Sequence, residues 1–216
     1  GCYDLYQRME RRIFEDGAAF PGEKWIILLG DYVDRGPRSA DVLDAIILPP
    51  PPGFRRFCLA GNHEELMLSY LSAPNPNHLW LGLGGRETLR SYGLDDEAGR
   101  RAPMEALLAS HVPSEHVQFL RTAPSLVAIP GFVFVHAGLR PGVPLEQQSD
   151  EDLLWIRPHE SFPSPSELVV IHGHTPVPAV DVQPGRINVD TGAFASAILS
   201  CVRIDRDGKI VKLAVR

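Results

Sequence analysis

Two kinds of hydrophobic pattern alternate along the chain. Short, continuous apolar runs, several of them ending at glycine, predict buried strands, and apolar residues at helical spacing predict helices between them. The clearest run is W-I-I-L-L at 25–29, which we expect to be a strand buried on both faces, with Gly30 turning the chain sharply. Further strands are predicted at 57–60, 126–129, 132–135 and 168–171, and a terminal hairpin at 197–204 and 210–215 with Asp207-Gly208 in its turn.

The segments between these runs predict helices and two long loops. Residues 2–15 have a helical apolar face, and Ser39 is placed to be the N-cap of a second helix. Residues 73–85 and 139–166 are rich in turn-forming residues and are predicted to be loops. Alternating strands and helices indicate the α/β class. We find no internal repeat or boundary and expect one domain over residues 1–216.

Composition narrows the classes of function. The 216 residues are 44% hydrophobic and carry a net charge of −6, which argues against a protein held mainly by nucleic acid or by an anionic membrane. No apolar run approaches the roughly 20 residues of a membrane span, and no signal-peptide pattern is seen. The three cysteines have no metal-binding or redox spacing, so we expect a reduced, cytoplasmic protein. Composition does not address the oligomeric state.

Metal-ligating residue types follow several predicted strands. Asp31, Asn62, His136 and one of His172 or His174 each stand just beyond an apolar run. Singly, each has an ordinary explanation, as a turn residue or a hydrogen-bonded histidine. Open α/β sheets place ligands beyond the carboxyl ends of their strands, so the set together indicates one shared site. Mixed carboxylate, amide and imidazole ligands suit Mn, Fe or Zn better than Ca or Mg.

Four motifs carry a family resemblance: G-D-Y-V-D-R-G at 30–36, G-N-H-E at 61–64, V-H-A-G at 135–138 and H-G-H-T at 172–175. Their order and rough spacing resemble the calcineurin-like metallophosphoesterases, and more closely the bacterial Ser/Thr protein phosphatases of the PPP type. W-I-R and V-D-T-G-A further along extend the resemblance over nearly the whole chain. It implies a two-sheet β-sandwich flanked by helices, in α/β/β/α order, with the motifs along one edge.

The resemblance also implies a metal site. Asp31 would bridge two metal ions, and Asn62, His136 and His174 would complete the shell of the second. The family's G-H pattern selects His174, and His172 is then a supporting or structural residue. The metal would be Mn, with Fe or Zn as alternatives.

Four further residues receive catalytic or substrate-binding roles from the resemblance. His63 would be the general acid for the leaving group, and Asp34 would orient its ring and hold its pKa up. Arg35 and Arg157 would grip the phosphate oxygens as planar, bidentate donors. For Arg157 a surface salt bridge is the alternative. The implied reaction is hydrolysis by a metal-activated water without a covalent phosphoenzyme.

The chain departs from the family pattern at its beginning. The family starts with an apolar strand and G-D-x-H-G, which supply ligands of the first metal, whereas this sequence opens with G-C-Y-D. Asp4 is not a substitute, because it falls in the family's first helix. We therefore expect a domain without its first strand and, if the first-motif ligands are truly absent, one metal bound instead of two and poor turnover. Whether the sequence is shortened or the motif is naturally lost stays open.

Three functions are considered. The first is hydrolysis of phosphoserine or phosphothreonine in proteins, favoured because the nucleotide-cleaving branch more often has Asp where this chain has Glu64. The second is hydrolysis of dinucleoside polyphosphates such as diadenosine tetraphosphate. The third, a catalytically impaired module that binds phosphoproteins, requires that the first-motif ligands are truly absent. The expected partner is thus a phosphorylated protein or a small phosphoester.

Overall fold

The computed structural model describes residues 1–95, 97, 102–157 and 168–216, and these form a mixed α/β fold with several sheets. The predicted α/β class is confirmed. The strands in these ranges are β1 (Lys24–Leu28), β2 (Phe54–Cys58), β3 (Leu126–Ile129), β4 (Phe132–Val135), β5 (Val169–His172), β6 (Asp181–Gln183), β7 (Arg186–Asn188), β8 (Leu199–Ile204) and β9 (Ile210–Val215).

The strands lie in three hydrogen-bonded groups. β1 and β2 are parallel, the middle group has the order β3-β4-β5-β7-β6 with β4, β5 and β7 parallel, and β8 and β9 form an antiparallel hairpin. Apolar side chains of the hairpin, Val202 and Ile204 among them, pack against a core that contains Ile171 and Ile187 of the five-stranded sheet. This packing of strands on strands is the kind of contact that a sandwich requires.

The helices precede or lie between the strands along the chain and supply most of the largest apolar core. In the described ranges they are α1 (Tyr3–Gly17), α2 (Ser39–Ile47), α3 (Asn62–Ser72), α4 (Arg86–Ser91), α5 (Met104–His111), α6 (Ser114–Thr122), α7 (Asp150–Trp155) and α8 (Ala193–Ser196). The largest apolar core lies among α2, α3, α4 and α6, and Tyr32 and Val33 from the loop after β1 are buried in it. Burying these two residues anchors the loop that carries Asp31 and Asp34.

The prediction that the first strand is buried on both faces is wrong. Only Ile26 of β1 is buried, and Trp25 is 50% exposed. Within the described residues β1 pairs with β2 alone, so the outer side of Trp25 is left without a covering element. The indole packs on Phe57 with ring centroids 5.2 Å apart and donates its N–H to Glu23 at 2.8 Å.

Local predictions fail where the chain makes long-range contacts. The predicted loop 73–85 ends in a π-helical turn, Leu81–Gly85, that runs into α4. The predicted loop 139–166 contains a 3₁₀ turn at Leu145–Gln147 and the helix α7, and its residues 158–166 lie outside the described ranges. Ser39 is not an N-cap, because it is the first residue of α2 and its hydroxyl accepts the Asp34 N–H at 3.1 Å.

Two findings bear on the compartment and membrane predictions. Cys2, Cys58 and Cys201 are all free thiols, and burial raises the pKa of Cys58 and of Cys201 to about 12. Such thiols stay protonated and unreactive near neutral pH. In the described part of the chain, no helix is both long enough and apolar enough to span a bilayer. The cytoplasmic location stays a prediction.

Candidate metal-dependent active site

The four residues predicted to bind metal lie side by side. His136 follows β4 and His174 lies two residues beyond β5, and because these strands are parallel, both imidazoles reach the same sheet edge. His136 Nε2 lies 2.9 Å from Asn62 Oδ1, 3.2 Å from His174 Nδ1 and 3.5 Å from Asp31 Oδ1. His174 Nδ1 is 3.0 Å from the same Asn62 oxygen. Side chains separated by up to 143 positions thus converge.

The polar atoms at this cluster are mostly hydrogen-bond acceptors. His136 Nδ1 donates to the Leu29 carbonyl at 2.6 Å, which leaves a lone pair on Nε2. Asn62 Oδ1 and Asp31 Oδ1, which face that lone pair, are also acceptors. Acceptors repel one another unless a positive charge lies among them.

The cluster fits a divalent cation. Asp31 Oδ1 and His174 Nε2 are buried without a hydrogen-bond partner among the described residues. Donor atoms that bind one cation at about 2.0–2.2 Å lie about 3 Å apart, and His136 Nε2, Asn62 Oδ1 and His174 Nδ1 are 2.9–3.2 Å from one another. Counting only His, Cys, Asp and Glu, the described residues contain no group of three or more arranged to hold a metal ion. The fit therefore depends on the Asn62 amide, which lies between the two imidazoles.

The protonation states favour metal binding. Burial, together with the charges of His136 and Arg157, lowers the pKa of His174 to about 4, so its ring is neutral at pH 7 and has a lone pair to offer. Burial of Asp31 favours its neutral form, but the surrounding imidazoles and Arg35 outweigh that effect and lower its pKa, so it is a carboxylate.

Backbone strain is concentrated at this site. Asp31, Asp34, Arg35 and His174 have φ values of 58°, 72°, 61° and 65°, in the left-handed region that non-glycine residues seldom adopt. Only one further non-glycine residue in the described ranges, Ala197, has positive φ. Such conformations persist only where the surrounding structure enforces them, and they cluster at functional sites.

Beside the acceptor cluster of Asp31, Asn62, His136 and His174 lies a hydrogen-bonded pair formed by His63 and Asp34. His63 Nδ1 is 2.5 Å from Asp34 Oδ2, and both side chains are buried. The same Asp34 oxygen accepts the Trp80 indole N–H at 2.8 Å, and the other accepts the Thr88 hydroxyl at 2.7 Å. Asp34 is thereby fixed from three directions.

The environment of His63 suits a general acid. Burial by itself would lower the pKa of this imidazole, but the hydrogen bond to Asp34 and the negative charge of Asp31 raise it above the ordinary value. Because Nδ1 faces Asp34, the ring's other nitrogen is left to exchange a proton with a substrate.

Glu64 connects the loop after β1 with the start of α3. Its Oε2 accepts the backbone N–H groups of Asp31 and Gly61 at 2.8 and 2.9 Å, and its Oε1 accepts those of Tyr32 and Val33 at 2.8 and 3.2 Å. One buried carboxylate thus fixes the loop after β1 against the start of α3. The close approach also requires glycine, since a Cβ on Gly61 would lie 2.7 Å from Asp31 Oδ1.

The two arginines predicted to bind phosphate are exposed at the rim of the site. The Arg35 guanidinium stacks on the Phe194 ring, 4.4 Å from its centroid. The charge of Arg157 contributes to the low pKa of His174, which indicates that the two are near each other. Within the described residues, neither arginine forms an ion pair with a carboxylate, so the salt-bridge alternative for Arg157 gains no support there.

Sequence reasoning missed Trp80, Thr88 and the bridging role of Glu64. Trp80 and Thr88 are 46 and 54 residues from Asp34 along the chain, and neither belongs to a recognisable motif. Glu64 was quoted within G-N-H-E but given no role. Its hydrogen bonds to four backbone N–H groups of two separate loops are visible only in three dimensions.

The cluster that fits a cation and the His63–Asp34 pair both lie near strand ends, an arrangement suited to metal-dependent hydrolysis. The calcineurin-like phosphoesterase family matches residues 1–200, and the chain belongs to that family. The predicted resemblance is confirmed at this level. The family's members use divalent metals, while the metal bound by this chain stays a prediction.

The names of individual relatives specify an activity more closely than the family name does. An asymmetrical bis(5'-nucleosyl)-tetraphosphatase, PrpE of Bacillus subtilis strain 168, is 27% identical, with 89% of this chain and 82% of that protein covered. A symmetrical bis(5'-nucleosyl)-tetraphosphatase of Nitrosococcus oceani is 29% identical over 65% of this chain and 41% of its own length. A solved structure provisionally assigned as a diadenosine tetraphosphatase superposes with a TM-score of 0.64 at 19% identity, covering 96% of this chain and 88% of the other.

Proposed function

We propose that the protein hydrolyses dinucleoside polyphosphates, with diadenosine tetraphosphate as the representative substrate. The observation that carries a metal-dependent reaction is the convergence of acceptor atoms from Asp31, Asn62, His136 and His174. The nucleotide substrate is supported by the names of the relatives, one of which is covered over 82% of its length. Hydrolysis of phosphoserine or phosphothreonine is the second candidate, favoured by Glu64 in G-N-H-E.

In this proposal Asp31, Asn62, His136 and His174 hold a divalent cation, most simply Mn. A cation held there would polarise a phosphoryl oxygen and lower the pKa of a water from 15.7 towards about 7. The chain's contribution is to keep the His174 imidazole neutral and the Asp31 carboxylate charged, and to hold the four donors close together. The Leu29 carbonyl fixes the tautomer of His136 that offers Nε2.

His63 acts as the general acid. The nitrogen that does not face Asp34 gives its proton to the oxygen of the departing phosphate or alcohol as the bond to phosphorus breaks. Asp34 stabilises the protonated ring and prevents its rotation, and Trp80 and Thr88 hold Asp34 in turn. A proton delivered to the leaving group is worth on the order of 10²–10⁴ in rate.

Arg35 and Arg157 bind the phosphate oxygens. Both guanidinium groups are exposed, and planar donors match the geometry of phosphate. Their positive charges oppose the negative charge that the transferring group carries in the transition state. A polyphosphate chain, with several charged groups in series, gives two separated arginines more to bind than a single phosphoester does.

The test compares three substrates with and without Mn²⁺: diadenosine tetraphosphate, a phosphothreonine peptide and p-nitrophenyl phosphate. We expect the highest kcat/KM on diadenosine tetraphosphate, and activity only when a divalent cation is present. The products show which phosphoanhydride bond is cut: asymmetrical cleavage gives ATP and AMP, and symmetrical cleavage gives two ADP. A higher kcat/KM on the phosphopeptide would replace the nucleotide proposal with the second candidate. Hydrolysis of none of the three, with the peptide still bound, would indicate a binding module.

A further inference from the structure

Phe194 is a large aromatic residue exposed beside the site. It lies on the short helix α8, four residues after Asp190, and 50% of its surface is open to solvent. The Arg35 guanidinium covers part of its ring at 4.4 Å from the centroid. Arg35 directly follows Asp34, and its charge acts on Asp31 and His63. Phe194 therefore directly contacts one of the residues assigned to the reacting phosphate, Arg35.

The turn that presents Phe194 is firmly held. Gly192 and Ala197, on either side of α8, both adopt left-handed backbone conformations, with φ of 63° and 56°. The Gly192 N–H donates to Asp190 Oδ1 at 2.8 Å, and Ser196 Oγ donates to the Thr191 carbonyl at 2.7 Å. The backbone that carries Phe194 is thus held in one conformation, which includes the left-handed residue Ala197.

A second stacked pair in the molecule shows what a purely structural arrangement looks like. The guanidinium of Arg203 lies over Phe20 at the same 4.4 Å. That guanidinium is occupied by Asp16 at 2.7 and 2.8 Å and by Asp205 at 2.7 Å. Arg35, by contrast, forms no ion pair with a carboxylate in the described part of the chain. The Arg35–Phe194 pair therefore keeps both a cation and an aromatic surface available to a ligand.

We propose that Phe194 is a specificity-determining residue that stacks a nucleobase of the substrate while its neighbour Arg35 binds the adjoining phosphate. This inference rests on the proposed function and names the part of the substrate that a second surface recognises. Aromatic rings stack on any base, and a planar guanidinium beside them adds cation–π and phosphate contacts. The preference is for the nucleoside polyphosphate class, without selection among the bases.

The test measures binding of ATP and of inorganic tripolyphosphate by calorimetry, with Mn²⁺ and again in EDTA. Phe194→Ala should weaken ATP binding about 5- to 150-fold, the range measured for loss of one stacked base, and leave tripolyphosphate binding unchanged. Phe194→Trp should restore ATP binding. Phe20→Ala, which removes the ring beneath Arg203, is the matched control and should change neither affinity.

The same variants are then assayed on diadenosine tetraphosphate. We expect Phe194→Ala to raise KM and to change kcat by less than about twofold, because the reacting phosphate keeps its contacts. Equal weakening of ATP and tripolyphosphate would mean that Phe194 only positions Arg35, and would overturn the stacking proposal. So would a wild-type protein that binds ATP no more tightly than tripolyphosphate under either condition. Selective ATP binding without hydrolysis of diadenosine tetraphosphate would instead overturn the proposed function alone.

Discussion

The two halves of the site differ in how far the protein satisfies its own polar groups. Around Asp34, donors from His63, Trp80 and Thr88 meet both carboxylate oxygens. Around His136, acceptors face one another, and Asp31 Oδ1 has no hydrogen-bond partner in the described ranges. The first half is built to hold one imidazole in one orientation. The second is costly as it stands and becomes favourable when a cation is bound.

This difference predicts that substitutions in the two halves change different measurable properties of the protein. Loss of a group in the hydrogen-bonded half should reduce turnover and leave metal binding intact. Loss of a group in the acceptor cluster should abolish metal binding and the stabilisation that comes with it. His116 allows this to be tested with a matched variant, since its buried ring lies 3.0 Å from the exposed Asp44 carboxylate and is bonded to Tyr92 instead of to a site residue.

The largest effect is expected for His63→Asn. Removing the general acid should reduce kcat by a factor on the order of 10²–10⁴, since the leaving group must then depart without a proton. Metal content per chain, measured by elemental analysis, should be unchanged. The control is His116→Asn, which removes a similarly buried ring bonded to Tyr92 and Asp44 and should retain wild-type kcat. Loss of metal from His63→Asn would show that the ring binds the cation.

The sequence predicted that the four side chains of the acceptor cluster converge because each of them follows a predicted strand, although His174 was preferred to His172 only through the family resemblance. Asp31, Asn62, His136 and His174 each come at or just beyond a strand end, and parallel strands carry their ends to one edge. Trp80 and Thr88 obey no such rule, because their contacts with Asp34 depend on how α4 packs against the loop after β1. The exposure of Trp25 was missed for a related reason. An apolar run shows that a strand is suited to burial. Whether the strand is buried depends on the elements that pack against it in the fold.

The next largest effect concerns metal removal. A cation that binds only the folded protein, present at 100 times its Kd, stabilises it by about 2.7 kcal/mol. For a chain of this length, that raises Tm by roughly 5–10 °C. Calorimetric scans of wild-type protein in Mn²⁺ and in EDTA should differ by this amount. An unchanged Tm would contradict a structural need for the cation at the acceptor cluster.

The variant Asp31→Asn tests whether the stabilisation by Mn²⁺ depends on the charge of this carboxylate. An amide places an N–H donor opposite the lone pair of His136 Nε2, and Asn tolerates the left-handed backbone at this position better than most residues do. In EDTA the variant should therefore be at least as stable as the wild type. It should gain no stability from Mn²⁺, because the ligand charge is lost. A variant that is destabilised in EDTA would show that the acceptor cluster is not strained without metal.

The smallest effect is a shift in pH dependence caused by Asp34→Asn. The pKa of His63 is raised because the hydrogen bond and charge of Asp34, with Asp31, outweigh the effect of burial. Turnover that requires protonated His63 is present below this pKa and is lost as pH rises through it. The amide can turn its oxygen towards His63 and Trp80 and its N–H₂ towards the Thr88 hydroxyl, so the geometry is retained while the charge is removed. Burial then lowers the pKa of His63, and the alkaline decline of kcat should move to lower pH.

Asp44→Asn, beside His116, should leave the pH dependence of kcat unchanged. An alkaline limb that does not move in Asp34→Asn would assign that limb to a group other than His63.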